Sequence, residues 1–225
     1  MSEQQHNEIE ASSLFGQLDA KQRERIERLI TYHSYIGGQL FHSPYERGEQ
    51  IFILQQGRVR LYKLSPEGRA LTLAILEPVT MFGEMTLIGQ HLHDSFAEAM
   101  TDCLIGTIRR DDLYQLVRTE PQVALSFINL IGQRLREIES KLADIAFKNV
   151  PQRLASVLIN MADSARSEAP RVVRYTHQQL AEMIGSYRET VTKAIGEFRE
   201  AGLIKIDDDT IHLTDVEELR RLAHK

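Results

Sequence analysis

Between Ser186 and Lys193 the chain reads Ser-Tyr-Arg-Glu-Thr-Val-Thr-Lys, side chains suited to the edges of nucleic-acid bases. The planar fork of Arg188 can donate two parallel bonds to guanine O6 and N7, and the Glu189 carboxylate can accept from a cytosine amine. Lys193 follows about one helical turn further on. Ser186, Thr190, His177 and Gln178 carry polar groups of the kind that meet phosphate oxygens. A plainer account is open for two of these residues. Glu189 could be a capping-box carboxylate closing on Ser186, and Arg188 a solvated surface arginine. The choice depends on the element that carries them.

A second group has metal-ligand spacing. His91-Leu92-His93, with Glu98 five residues later, resembles the cupin pattern in which two imidazoles and a carboxylate meet on a β-barrel wall. The downstream glycine and second histidine motif of that pattern are missing, so a cupin-like metalloenzyme is the alternative of a different class. His33, His42, His91, His93, Cys103 and Met85 are the candidate axial ligands of a haem. The single cysteine, Cys103, excludes an intramolecular disulfide framework and any cluster held by several thiolates. Neither a nucleophile–base pair nor a phosphate loop is present. The expectation is therefore no enzyme, no catalytic residue and no bound metal.

The elements that position these residues follow from three changes of pattern. Residues 11–30 read as a short helix, with Leu14, Phe15, Leu18, Ile26, Leu29 and Ile30 as its apolar contacts. From Tyr32 to Ile108 short apolar runs separated by Gly and Pro predict strands, among them 50–55, 58–64, 71–76 and 103–108. Gln56-Gly57 and Pro66-Glu67-Gly68 are turns. Many short strands without intervening helices argue for an antiparallel barrel or roll. Thr119-Glu120-Pro121-Gln122 then reads as a helix start with Thr119 as N-cap. Ala124, Ile128, Ile131, Leu135, Ile138, Leu142 and Ile145 follow at alternating steps of four and three, an a/d seam over about 40 Å of helix. So narrow a stripe suits an identical partner helix better than a broad core, and predicts a parallel homodimer.

Asn149-Val150-Pro151-Gln152 breaks that helix and caps the next, making Phe147 and Asn149 the candidate hinge; the new helix runs to Ser164, and 165–170 is a polar connection. Thr176-His177-Gln178-Gln179 is another capping box, Gly185 a tight turn, and a second helix runs from Ser186 through Val191, Ala194, Ile195 and Phe198 to Ala201. Helix, glycine turn, helix is a helix-turn-helix signature, whose second helix presents its start to the major groove. Residues 203–206 and 211–213 around Asp207-Asp208-Asp209-Thr210 form a hairpin wing, and Thr214 with Glu217 caps a last helix.

Composition bounds these readings without deciding them. The 225 residues are 42% hydrophobic and 26% charged, as in ordinary globular chains. No apolar run approaches the ~20 residues of a membrane span, and no signal peptide precedes the first polar stretch, so a cytoplasmic protein is expected. The net charge is −5, and from residue 150 onward 11 basic side chains face 12 acidic ones. A nucleic-acid claim must rest on the placement of a few charges, since no basic footprint is visible in bulk.

Ile184-Gly185-Ser186-Tyr187-Arg188-Glu189-Thr190-Val191 resembles the recognition region of the cyclic-AMP receptor protein/FNR family of bacterial transcription regulators. Phe82-Gly83-Glu84-Met85, after Gly57-Arg58-Val59, is similar to that family's effector cassette, and the likeness runs in order over residues 12–213. The resemblance implies an α+β chain in three parts. These are a cyclic-nucleotide-binding-like β-roll (1–118), a dimerisation helix (119–148) and a winged helix-turn-helix (149–225). It implies Arg188, Glu189 and Lys193 as base readers at a two-fold symmetric TGTGA-like promoter site, an activator, and contact with RNA polymerase.

The cassette departs from the family's cyclic-AMP sensors. They carry an Arg-Ser pair where this chain reads Asp94-Ser95, and a Thr-Ser pair where it reads Ile138-Glu139. A carboxylate facing an anionic phosphate is repulsive. These departures argue against cyclic AMP, and no cofactor is expected. Gly83, Glu84, Met85, Asp94, Ser95 and Ile138 remain the candidate effector residues, with a haem or another small effector left open.

Overall fold

The computed structural model describes residues 19–87, 91–164 and 170–224. Leu14, Phe15 and Leu18 of the expected first helix, and 165–169 of the expected polar connection, lie outside them. Helix α1 spans Ala20–Glu27 and is capped at its start by Asp19. Asp19 has extended backbone, accepts from the Gln22 amide, and receives the Gln22 side chain on its own amide. Leu29 and Ile30 follow the helix rather than belonging to it.

Eight strands form an antiparallel roll: β1 (Thr31–Tyr35), β2 (Leu40–His42), β3 (Gln50–Gln56), β4 (Val59–Leu64), β5 (Ala70–Leu76), β6 (Thr80–Phe82), β7 (Phe96–Ala99) and β8 (Cys103–Arg109). One sheet is ordered β1-β8-β3-β6 and the other β2-β7-β4-β5. Strand β3 is buried on both faces, which explains its unbroken apolar run Ile51–Leu54. Phe52 and Leu54 join Val59, Leu76, Phe82 and Ile105 inside the roll. Ile51 and Ile53 turn the other way, onto a core with Ile26, Leu113, Leu116, Val123 and Phe127. Helices therefore close one side of the roll.

Two of those helices revise the sequence expectation. Helix α2 spans Arg110–Thr119 and α3 spans Pro121–Phe147, so Thr119 ends one helix instead of capping the next. Its hydroxyl donates to the Gln115 carbonyl at 3.0 Å, while the Glu120 amide closes on Leu116. Pro121 is then the first residue of α3, a position where its missing N–H costs nothing.

Beyond α3 come α4 (Val150–Ser164), β9 (Arg171–Val173), α5 (His177–Ile184), α6 (Arg188–Glu200), β10 (Ile204–Ile206), β11 (Thr210–Leu213) and α7 (Val216–His224). Asn149 and Gln152 exchange bonds at the start of α4, as expected of a capping box. The wing is a three-stranded antiparallel sheet, because β9 pairs with β11; the sequence reading held only the hairpin. Asp215 caps α7 by accepting from the Glu218 amide, whereas Thr214 donates to the Gly202 carbonyl. That displaces the Thr214–Glu217 cap by one residue.

The chain divides into two compact units, one joining residues up to Lys63 with Leu73–Glu137, the other joining Leu64–Thr72 with Ile138 onward. Among the described residues, no helix is long and apolar enough to cross a membrane. The fold is mixed α+β, with an N-terminal β-roll and a C-terminal helix-turn-helix.

Candidate nucleic-acid interface and effector cassette

The second unit builds the helix-turn-helix from local signals. Thr176 accepts from the Gln179 amide at 3.1 Å and the Gln179 side chain returns to the Thr176 amide at 2.8 Å, fixing the start of α5. Gly185 ends α5 in the left-handed region, with φ of 63°, and the Gly185 and Ser186 amides both close on the Ala181 carbonyl. The chain then turns through Tyr187, in extended conformation, into α6.

Helix α6 separates its residues by face. Val191, Ala194, Ile195 and Phe198 are buried, while Arg188, Glu189, Thr190, Thr192 and Lys193 are exposed. The three expected base readers thus share one outward face over the first turn and a half, with Lys193 3.8 Å from Glu197 one turn on. Gln178 is exposed on α5, where its amide donates to Glu182 at 2.8 Å. Ser186 is half-buried and does not cap α6; Tyr187 is the N-cap, without a side-chain bond, so no capping box joins Glu189 to Ser186.

Two partners at this surface were not read from sequence. In the same unit, the Arg69 guanidinium lies 4.1 Å over the Tyr187 ring and donates to its hydroxyl at 3.0 Å. Thr192 bonds both His177 of α5 and the Arg188 carbonyl of α6. Burial, then Arg188 and Arg174, hold the His177 imidazole below the ordinary histidine range. Neither partner had a local sequence signal, since each pairs residues on separate elements.

The first unit holds the cassette. Gly83 has φ of 81°, and a Cβ there would meet the Phe52 ring at 3.1 Å, so glycine is required. Glu84 begins a 3-10 turn, Glu84–Leu87, and its side chain is buried. Arg134 of α3 donates to Glu84 Oε1 and to the Met81 carbonyl; Glu84 Oε2 has no partner. Arg134 has no local signal as a cassette residue, because it sits one position from the seam at the same helical spacing. It continues the stripe Val123, Phe127 and Leu130 that packs on the roll. Met85 is half-buried, and Asp94 is exposed with Lys63 Nζ at 3.7 Å. The Ser95 carbonyl accepts from His42 Nδ1 at 3.0 Å. Ile138 belongs to the second unit, where it is exposed.

Of the metal and haem candidates, only His42 and His93 come together. Their rings stack at 3.6 Å and 6°, both buried, with His42 Nε2 unpartnered. Burial first, and then His93, push the His42 pKa down to about 4. His91 Nδ1 instead donates to the Thr86 carbonyl at 2.8 Å, and Glu98 pairs with Arg60 at 3.3 Å. His33 is exposed on β1, and Cys103 is buried with its thiol on the Thr101 carbonyl. The cupin-like set His91, His93 and Glu98 is therefore not assembled: each side chain is held by a different neighbour. Among the described residues no group of three His, Cys, Asp or Glu could hold a metal ion.

Comparison with known proteins matches both units. The family model of the cyclic nucleotide-binding domain matches residues 33–120, and that of the Crp-like helix-turn-helix domain matches 152–222. The CRP-like cAMP-activated global transcriptional regulator of Mycobacterium tuberculosis is 30% identical over 182 residues, 79% of this chain and 81% of the relative. The transcriptional regulator SdrP of Thermus thermophilus is 34% identical over 178 residues, 78% of this chain and 84% of the relative. The solved structure of the c-di-GMP responsive regulator CLP of Xanthomonas campestris superposes with a TM-score of 0.78, covering 88% of this chain and 100% of that one at 22% identity, a likeness of fold.

Proposed function

The chain belongs to the CRP/FNR family of transcription regulators, and from that premise we propose that it is a homodimeric activator reading a palindromic TGTGA-like site without cyclic AMP. The observation that carries the reading is the outward face of α6, where Arg188, Glu189 and Lys193 are exposed on a helix whose opposite face is buried. Arg188 reads guanine, Glu189 accepts from the cytosine amine, and Lys193 reaches the next position. Ser186, Thr190, His177 and Gln178 take phosphates and fix the register.

Two copies are needed to read a palindrome, their recognition helices about 34 Å apart in successive major grooves. The exposed seam of α3 supports a second copy: Ile128, Leu135, Ile138 and Leu142 are each more than half exposed, an apolar row that water would not leave uncovered. Any effector acts by shifting the population of the correctly spaced state through the hinge at Phe147 and Asn149. Independence from cyclic AMP is supported by Asp94, a carboxylate where the family's sensors have arginine. Contact with RNA polymerase follows from the activator role.

Selection of bound fragments from random DNA tests the reading. We expect a two-fold symmetric site with TGTGA-like halves, and for Arg188→Ala a loss of about 1–3 kcal/mol per half-site with relaxed preference at one guanine. A consensus without symmetry, or an unchanged preference in the variant, would sink it.

A further inference from the structure

His177, Thr192 and the Arg188 carbonyl form a short hydrogen-bonded chain that joins α5 to the start of α6. Thr192 Oγ1 donates to the Arg188 carbonyl at 2.9 Å, which uses its one hydroxyl hydrogen. His177 Nδ1 lies 2.8 Å from Thr192 Oγ1; with the hydroxyl hydrogen given to the carbonyl, the imidazole is the donor there and carries its proton on Nδ1. The neutral ring is thus left with a lone pair, and no hydrogen, on Nε2. A phosphate oxygen can only accept, so that lone pair repels it. The imidazolium, with a hydrogen on each nitrogen, bonds Thr192 and a phosphate together.

The charged groups acting on the ring are Arg188 from α6 and Arg174 from the connection after β9. Both are cations, and His177 also occupies the first turn of α5, where the helix dipole disfavours positive charge. In the free protein the neutral form is favoured near pH 7. A phosphate brought against Nε2 reverses this balance, because it partly neutralises both arginines and accepts the new hydrogen.

We propose that His177 is a proton-linked phosphate contact, locked by Thr192 so that each half-site engages DNA with uptake of one proton. The inference rests on the reading of the chain as a DNA-binding regulator. Its linkage sign is definite. The bound state holds more protons, so affinity rises as pH falls from the bound-state pKa towards the free-state pKa, by up to about tenfold per pH unit for each proton. Below the free-state pKa the gain is complete and the profile levels off.

The test measures affinity of the full chain for its selected site by fluorescence anisotropy, at fixed ionic strength, from about pH 6 to about pH 8.5. Wild type should bind more tightly towards acid. His177→Arg, a permanent cation, should bind tightly throughout with a reduced pH slope, and His177→Gln should bind weakly throughout with the same reduced slope. Thr192→Ala frees the neutral ring to place its hydrogen on Nε2, so it should regain affinity at high pH; circular dichroism confirms that each variant folds. Specific binding with equal slopes in wild type, His177→Arg and His177→Gln overturns the assignment of His177 alone. Failure to prefer any sequence at any pH overturns the DNA-binding reading with it.

Discussion

The His42–His93 stack is a residue-scale feature with a consequence for stability. The His42 pKa falls to about 4 in the folded chain against an ordinary 6.5, chiefly through burial, and that of His93 is lowered the same way. Glu46, Asp94 and Glu84 pull in the opposite sense without cancelling it. The unfolded chain therefore binds more protons between these pH values. Stability from the neutral pair is fully present above about pH 6.5 and is lost as pH falls towards 4, on the order of 3 kcal/mol for His42. Urea titrations at about pH 7 and about pH 5 should show about 2 kcal/mol of this loss, and His42→Phe should lessen it; equal losses in both proteins would refute the account. At this scale the sequence was uneven. The turn at Gly83 and the outward placement of Arg188, Glu189 and Lys193 were legible because local motifs set them. Arg134, Thr192 and Tyr187 were not, because their partners lie on other elements, and nothing local marks a guanidinium that reaches fifty residues back to Glu84.

At the scale of elements, period was the reliable signal and boundaries the weak one. The run Ile51–Leu54 read as strand, and its burial on both faces accounts for its lack of alternation. Thr119, Thr214 and Ser186 were each read as helix starts from a capping-box partner three residues on. Each hydroxyl-bearing position was out-competed: by continuation of α2, by Asp215 one residue on, and by the turn through Tyr187. Helix α2 was missed because it follows β8 directly, with no turn residue between them. The seam of α3 yields a prediction here. Leu135→Asp with Ile138→Asp should leave the helix intact by circular dichroism yet give monomers on sedimentation, because two carboxylates per copy would enter an apolar interface. A dimer that survives would move the interface elsewhere.

For the whole molecule, the change from strands to helices made the α+β class legible, while composition contributed little, since a net charge of −5 gives no sign of a helix-turn-helix. The cassette makes the remaining prediction. On the proposed reading, which sets Asp94 where the family's cyclic-AMP sensors carry arginine, calorimetry with cyclic AMP should show no saturable heat at ~10 μM ligand; tight stoichiometric binding would overturn this. The Arg134–Glu84 contact has a further consequence for what Glu84 can hold. Any small molecule that reaches for Glu84 Oε1 meets a resident competitor, a guanidinium tethered to the same polypeptide and so held at a local concentration no free solute matches. Occupancy there would be an exchange rather than an addition: an incoming molecule would have to bring hydrogen-bond donors of its own to replace the guanidinium.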